Sequence, residues 1–301
     1  MKYILAQPST VYFAWQIDVF LFSARSVGIK PEDIDVLCST ESGIDDHFDV
    51  MMRKYPGVSF NFYSDTRVDK TYIPSIKQNL LSQHLRVFTE LQRQPILLVD
   101  SDICFTKPLE IDHLINDDVW YVSDTIGYLG YNYILSKGRD VLNKMLSIAD
   151  INESVVKSNI GGSGGAQYLF KNLTPEYLDE VVELSSKMFS EISDYNNQLV
   201  RENPDYHPIQ IWTAEMWALL WVAWKRGQTT AVDPSLDFCW ATDHSSQWKS
   251  KSIYHGAGVT SGDKGMFYKG LYTDKFPPLN LDIDRNKACY HYYNVLRSAL
   301  S

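Results

Sequence analysis

The sequence predicts an α/β fold, a Rossmann-type sheet flanked by helices and formed as a single domain. Three observations carry this. The segment "KYILAQ" is followed by a long helical pattern, "YFAWQIDVFLFSARSVG", and then by a second strand, "DIDVLCST", a β-α-β opening. The run "PILLVD" is almost continuously apolar, as strands buried on both faces of a parallel sheet are. And 301 residues, 45% hydrophobic and 13% aromatic, suffice for a sizeable core.

The remaining elements follow in order. Gly28 closes the first helix. "VSFNFYSD" alternates apolar and polar residues and reads as a third strand. "IPSIKQNLLSQHLRVFTELQ" reads as a helix entered after a proline. "DVWYVSDT" is another strand. "LTPEYLDEVVELSSKMFSEISDYNNQLVREN" is helical, with Thr174 as N-cap and Pro175 in the first turn. "TAEMWALLWVAWKRG" is a strongly apolar helix capped by Thr213 and stopped by Gly227. Its Trp217, Trp221 and Trp224 fall at helical spacing and belong to a core. The tail from Asp233 reads as loop-rich. No repeat or linker interrupts the chain.

Composition excludes some functions. A formal charge of −9 argues against a protein that grips nucleic acid through a broad basic surface. Cys38, Cys104, Cys239 and Cys289 are scattered with no CxxC pair, which suits reduced, buried thiols of a cytosolic protein. No apolar run approaches the roughly 20 residues of a membrane span. The N-terminus reads as a first strand and not as a signal peptide. The expectation is a soluble, cytoplasmic protein without an anchor.

The chemistry concentrates where "PILLVD" ends. Asp100 and Asp102, separated by Ser101, terminate a buried-type strand, where charge is costly unless paired. Asp-x-Asp occurs three times, but Asp33/Asp35 and Asp282/Asp284 read as loop acids. Ligands of open α/β sheets bind at the carboxyl ends of strands, and residues two apart on a strand point the same way. Two such carboxylates suit a hard divalent cation, Mn²⁺ or Mg²⁺. "IYHGAGVTSGDKGMFYKG" supplies His255 as a further ligand, Gly256 and Gly258 for close backbone approach to phosphate, and Lys264 as a point charge. In "NIGGSGGAQYLFKN", the small residues Gly161 to Gly165 run directly into a core element. They suit backbone packed against a sugar, with Gly162 at that surface and Gln167 as a hydrogen-bonding contact. Trp212 is placed to stack on a sugar or base face.

In these features the sequence resembles GT-A type glycosyltransferases that use nucleoside diphosphate sugars. "YFAWQ" and "IPSIKQNLL" more narrowly resemble the peptidyl serine galactosyltransferase and hydroxyproline arabinosyltransferase group. The enzymes of that group carry an N-terminal membrane anchor that this sequence lacks, so a bacterial, viral or phage member is expected. The resemblance implies a GT-A-like mixed sheet, with about 1–125 as the nucleotide-sugar-binding half and about 126–301 as the acceptor-binding half. It implies that Asp100, Ser101 and Asp102 hold the metal and the donor, that His255 completes the metal shell, and that Gln7, Pro8 and Lys77 lie near the nucleotide. The donor is then a UDP-sugar, and the acceptor a hydroxyl on a protein, a glycan or a hydroxymethylated base of phage DNA. An inverting enzyme needs a base. Glu215, in the first turn of an apolar helix where the dipole favours an anion, is the candidate, and Asp124 is a second acid. Two alternatives stay open. A nucleotidyltransferase also uses paired acids, although "AQPSTVYF" lacks the glycine and basic residue it needs. A non-catalytic sugar-binding module is the other.

Overall fold

A computed structural model describes residues 1–301. In chain order its strands are β1 (Lys2–Pro8), β2 (Ile34–Ser39), β3 (Ser59–Tyr63), β4 (Ile96–Val99), β5 (Ile103–Phe105), β6 (Trp120–Ser123), β7 (Gly165–Phe170), β8 (Thr230–Val232), β9 (Phe238–Trp240) and β10 (Ile253–His255). Seven hydrogen-bond in the order β3-β2-β1-β4-β7-β6-β8, and three form a second sheet, β5-β10-β9. The large sheet is mixed: β1, β2 and β3 run parallel, and β6 is antiparallel to β7 but parallel to β8. The predicted α/β class and its mixed, helix-flanked sheet hold.

The chain divides into two compact units. The first comprises Met1–Ser64, Leu98–His113 and Pro234–Ser301. Its central helix, Val11–Ser26, is apolar around most of its circumference and buried accordingly. Gly28, at φ +85°, ends it, a left-handed conformation that glycine adopts without the Cβ clash of other residues. The helix packs against Ala288–Leu300, in a core that includes Trp15, Cys104, Cys239, Tyr254, Phe267 and Tyr292. Trp15 is fully buried and its Nε1 donates to the Tyr272 carbonyl at 3.2 Å, so both its apolar body and its polar tip are satisfied. All four cysteines are free and buried, as composition suggested.

The second unit comprises Asp65–Leu97 and Leu114–Asp233. Its long helix, Pro175–Glu202, starts as predicted: Pro175 occupies the first turn, and Thr174 Oγ1 accepts the Tyr177 N–H at 3.4 Å. It packs on the helices Ile76–Val87 and Ala214–Lys225. Trp217, Trp221 and Trp224 are core residues. No helix of the protein is long and apolar enough to cross a membrane.

Four expectations change. The tail is not all loop, because Ala288–Leu300 is a helix whose buried Ala288, Cys289, Tyr292, Leu296 and Ala299 recur at helical spacing. The helix after Pro74 ends at Val87, and Thr89–Arg93 continues as a 3₁₀ turn. The Thr213 hydroxyl donates to the Gln210 carbonyl at 2.9 Å and makes no side-chain cap. Asp35 is not a loop acid. It lies within β2, buried, and Lys2 neutralises it at 3.0 Å.

Candidate functional site

The first unit builds its site at the turn between β4 and β5. The chain leaves the large sheet at Val99 and enters the small one at Ile103, so Asp100, Ser101 and Asp102 form the turn itself. β10 pairs antiparallel with β5, setting His255 opposite Ile103 and therefore beside the acids. His255 Nε2 lies 3.3 Å from Asp102 Oδ1 and 3.8 Å from Asp100 Oδ2. One ligand atom from each of the three lies within 4.8 Å of the others. Asp102 and His255 are buried, while Asp100 is partly open to solvent.

The surroundings fix this geometry. Gly256 N donates to the Asp102 carbonyl at 2.8 Å. A Cβ on Gly256 would stand 3.0 Å from that oxygen, so the close approach that this glycine permits is to the acid turn. The His255 ring stacks at 11° on Trp240 and meets Phe238 edge-on. Its Nδ1 is buried without a protein partner. Ser101 Oγ is buried and donates to Gln16 Oε1 at 3.4 Å, so this hydroxyl pins the turn to the first helix. Gln16 belongs to the "YFAWQ" segment, and its Nε2 donates to the Tyr12 carbonyl. Gln7 is buried at the end of β1, and Pro8 closes that strand.

A lysine does reach the acids, but it is Lys269. Its Nζ bonds Asp102 Oδ2, whereas Lys264 is exposed on the preceding loop. Sequence reading passed over Lys269, although it stands in the same glycine-rich segment. Burial would push the Asp102 carboxyl upward, but the Lys269 ammonium and His255 override it and hold the group far below the usual carboxylate range. Burial depresses the Lys269 ammonium, and Asp102 more than restores it. Both are therefore ionised at neutral pH. Two carboxylate oxygens and an imidazole nitrogen are a donor set that fits a borderline-hard divalent cation, and the nitrogen favours Mn²⁺ over Mg²⁺. Gly258 adopts φ +87° beside Trp240 and Thr242, which accounts for a glycine there.

In the second unit, two predicted site residues meet. Lys77 Nζ lies 3.4 Å from Glu215 Oε1, and the Tyr72 hydroxyl donates to Glu215 Oε2. The Tyr72 oxygen also accepts the Glu215 N–H at 3.0 Å. Glu215 is buried, and burial followed by this carboxylate pushes the Tyr72 phenol well above its usual range. Trp212, 57% exposed, meets Tyr72 and Phe189 only edge-on. Asp124 is exposed, and its Oδ1 accepts the Ile126 N–H at 3.1 Å, a helix-start bond. Gln167 is fully buried within β7. Its Oε1 accepts from Ser123 Oγ at 2.6 Å, and its Nε2 has no protein partner. A Cβ on Gly162 would fall 2.3 Å from Thr230 Oγ1, so the surface this glycine fits closely is β8 of its own chain.

Comparison with known proteins adds the fold. No family model matches the sequence, and no curated protein matches it. Among solved structures, the bifunctional glycosyltransferase WbbM superposes on all of this chain with a TM-score of 0.56 at 10% identity. This chain spans about half of that one, 49%. The galactosyltransferase LgtC, solved with donor and acceptor sugar analogues, matches 99% of this chain and 96% of its own at TM-score 0.46 and 12% identity. Mouse xyloside xylosyltransferase 1 matches 84% of this chain and 96% of its own at TM-score 0.40 and 11% identity. None of the three is named as a member of the peptidyl serine or hydroxyproline group. At these identities the WbbM match speaks to architecture: the chain has a GT-A-like α/β fold.

Proposed function

We propose that this protein is a metal-dependent glycosyltransferase that moves a sugar from a UDP-sugar to a hydroxyl acceptor. One observation carries the reading. In a GT-A-like fold, the turn at the carboxyl end of a buried strand gathers two acids and an imidazole within 4.8 Å. Asp100, Asp102 and His255 would hold Mn²⁺ (or Mg²⁺). When bound, the cation would neutralise the charge that develops on the leaving diphosphate. Lys269 keeps Asp102 ionised and is the basic residue beside the acids. Ser101 holds the turn through Gln16. Gln7, Pro8, Gly258 and Lys264 remain donor-side candidates.

In the same reading Glu215 acts on the acceptor. Tyr72 and Lys77 fix its rotamer, which suits a side chain that accepts the acceptor's hydroxyl proton or orients that group. Trp212 offers an exposed aromatic face to a sugar. Gly162, Gln167 and Asp124 are secondary candidates. The acceptor hydroxyl belongs to a protein, a glycan or a modified DNA base, and the charge of −9 weighs against DNA. Four free, buried cysteines suit a reducing compartment such as the cytoplasm.

The test is UDP release from a panel of UDP-hexoses and UDP-pentoses, with and without Mn²⁺. Release that a chelator and Asp102→Asn both abolish is the expected result. Release that is indifferent to both would exclude the metal-dependent mechanism.

A further inference from the structure

Lys269 occupies one of the two Asp102 oxygens, Oδ2, while Oδ1 faces the His255 imidazole. A divalent cation held by Asp100, Asp102 and His255 would arrive within a few ångströms of this ammonium, and like charges in so small a volume oppose each other. The backbone at Lys269 is fixed. It opens the 3₁₀ turn Lys269–Leu271, and its carbonyl accepts the Tyr272 N–H at 3.0 Å. Tyr272 is tied in turn to Trp15 of the central helix. The side chain is less confined: it is 30% exposed on a flexible four-carbon stem. Rotation about that stem can carry the ammonium off Asp102 while the turn keeps its place.

Resting on the metal-site reading above, we infer that Lys269 is a resident counter-ion that competes with the divalent cation for Asp102. In the metal-free protein it neutralises a buried carboxylate that would otherwise be destabilising. It thereby lowers the affinity for metal alone. A nucleoside diphosphate gives the displaced ammonium another anionic partner, so metal and nucleotide bind with positive coupling, and Lys269 carries that coupling.

The experiment is calorimetric titration of the full chain with Mn²⁺, alone and in the presence of UDP. It uses wild type, Lys269→Met and Lys269→Arg, with Lys269→Gln as a second neutral variant and urea unfolding as the check on folding. The expected result is that both neutral variants bind Mn²⁺ alone about tenfold tighter than wild type, while Lys269→Arg stays close to wild type. UDP then tightens Mn²⁺ binding in wild type by a larger factor than in the neutral variants. If folded neutral variants bind Mn²⁺ no tighter than a wild type that does bind it, the competition is refuted and the metal site stands. If no form binds Mn²⁺ even with UDP, the metal site and the inference both fall.

Discussion

Two buried aspartates of the first unit, Asp18 and Asp102, each face a lysine and a histidine, yet they are electrostatically unlike. Asp18, on the first helix, is closed. Its Oδ1 accepts from Lys54 Nζ at 2.9 Å and from the Tyr55 hydroxyl at 2.6 Å, and its Oδ2 lies 2.7 Å from His47 Nε2. One carboxylate is surrounded by three donors. At Asp102 the setting differs, because a second carboxylate, Asp100, adjoins the same histidine, and one lysine bonds Asp102. The difference teaches that a buried acid does not by itself mark a site. Two carboxylates that converge on one imidazole do, because their ligand atoms can share a cation.

The comparison breaks most readily at the acids. Asp102→Asn is expected to abolish measurable Mn²⁺ binding and to lower sugar transfer by about 10³-fold or more. Asp18→Asn is expected to leave Mn²⁺ affinity unchanged and to cost roughly 2 kcal/mol of stability in urea unfolding, because it weakens the hydrogen bonds that a buried carboxylate accepts from Lys54, Tyr55 and His47. Equal loss of Mn²⁺ affinity in both would erase the distinction. The second unit supplies the next largest effect. Glu215→Gln should reduce transfer by about 10²- to 10⁴-fold with Mn²⁺ affinity intact, and full activity in this variant would remove Glu215 from the mechanism. His255→Ala should weaken Mn²⁺ binding by about 100-fold, roughly 2.7 kcal/mol, as read by calorimetry.

The smallest effect concerns pH. Burial pushes the Asp18 carboxyl up, but hydrogen bonds from His47, Lys54 and Tyr55 hold it below its usual value. A group with a depressed folded pKa stabilises the protein above its unfolded pKa, about 4, and loses that contribution as pH falls through the folded value. Urea midpoints measured from pH 7 to pH 3 should therefore drop below about pH 4, and this part of the drop should be missing in Asp18→Asn. An unchanged profile in the variant would contradict the assignment.

Much of this was legible in the sequence, for physical reasons. Strands and helices follow from apolar periodicity, and the place of the Asp-Ser-Asp acids follows from an apolar run that ends in charge, although they lie in the turn after β4 and not at strand spacing within it. His255 was legible because it follows a short apolar stretch, which folds as β10 and carries it to the acids. Lys269 was not. The loop between Gly256 and Lys269 has no periodicity, so nothing in its spacing tells which lysine folds back to Asp102. The Asp35–Lys2 pair depends on parallel pairing of β1 with β2, which local sequence does not encode. The Gly162 contact with Thr230 is likewise non-local. The closing helix was hidden by the turn-rich residues that precede it.

The central claim is that the acid turn binds a metal and, through it, a nucleotide. Its most direct test is calorimetric titration of the purified protein with UDP, with and without Mn²⁺, using GDP and ADP as controls. The account predicts tight, UDP-selective binding only when Mn²⁺ is present. Equal binding with and without metal, or no binding of any nucleoside diphosphate, would contradict it.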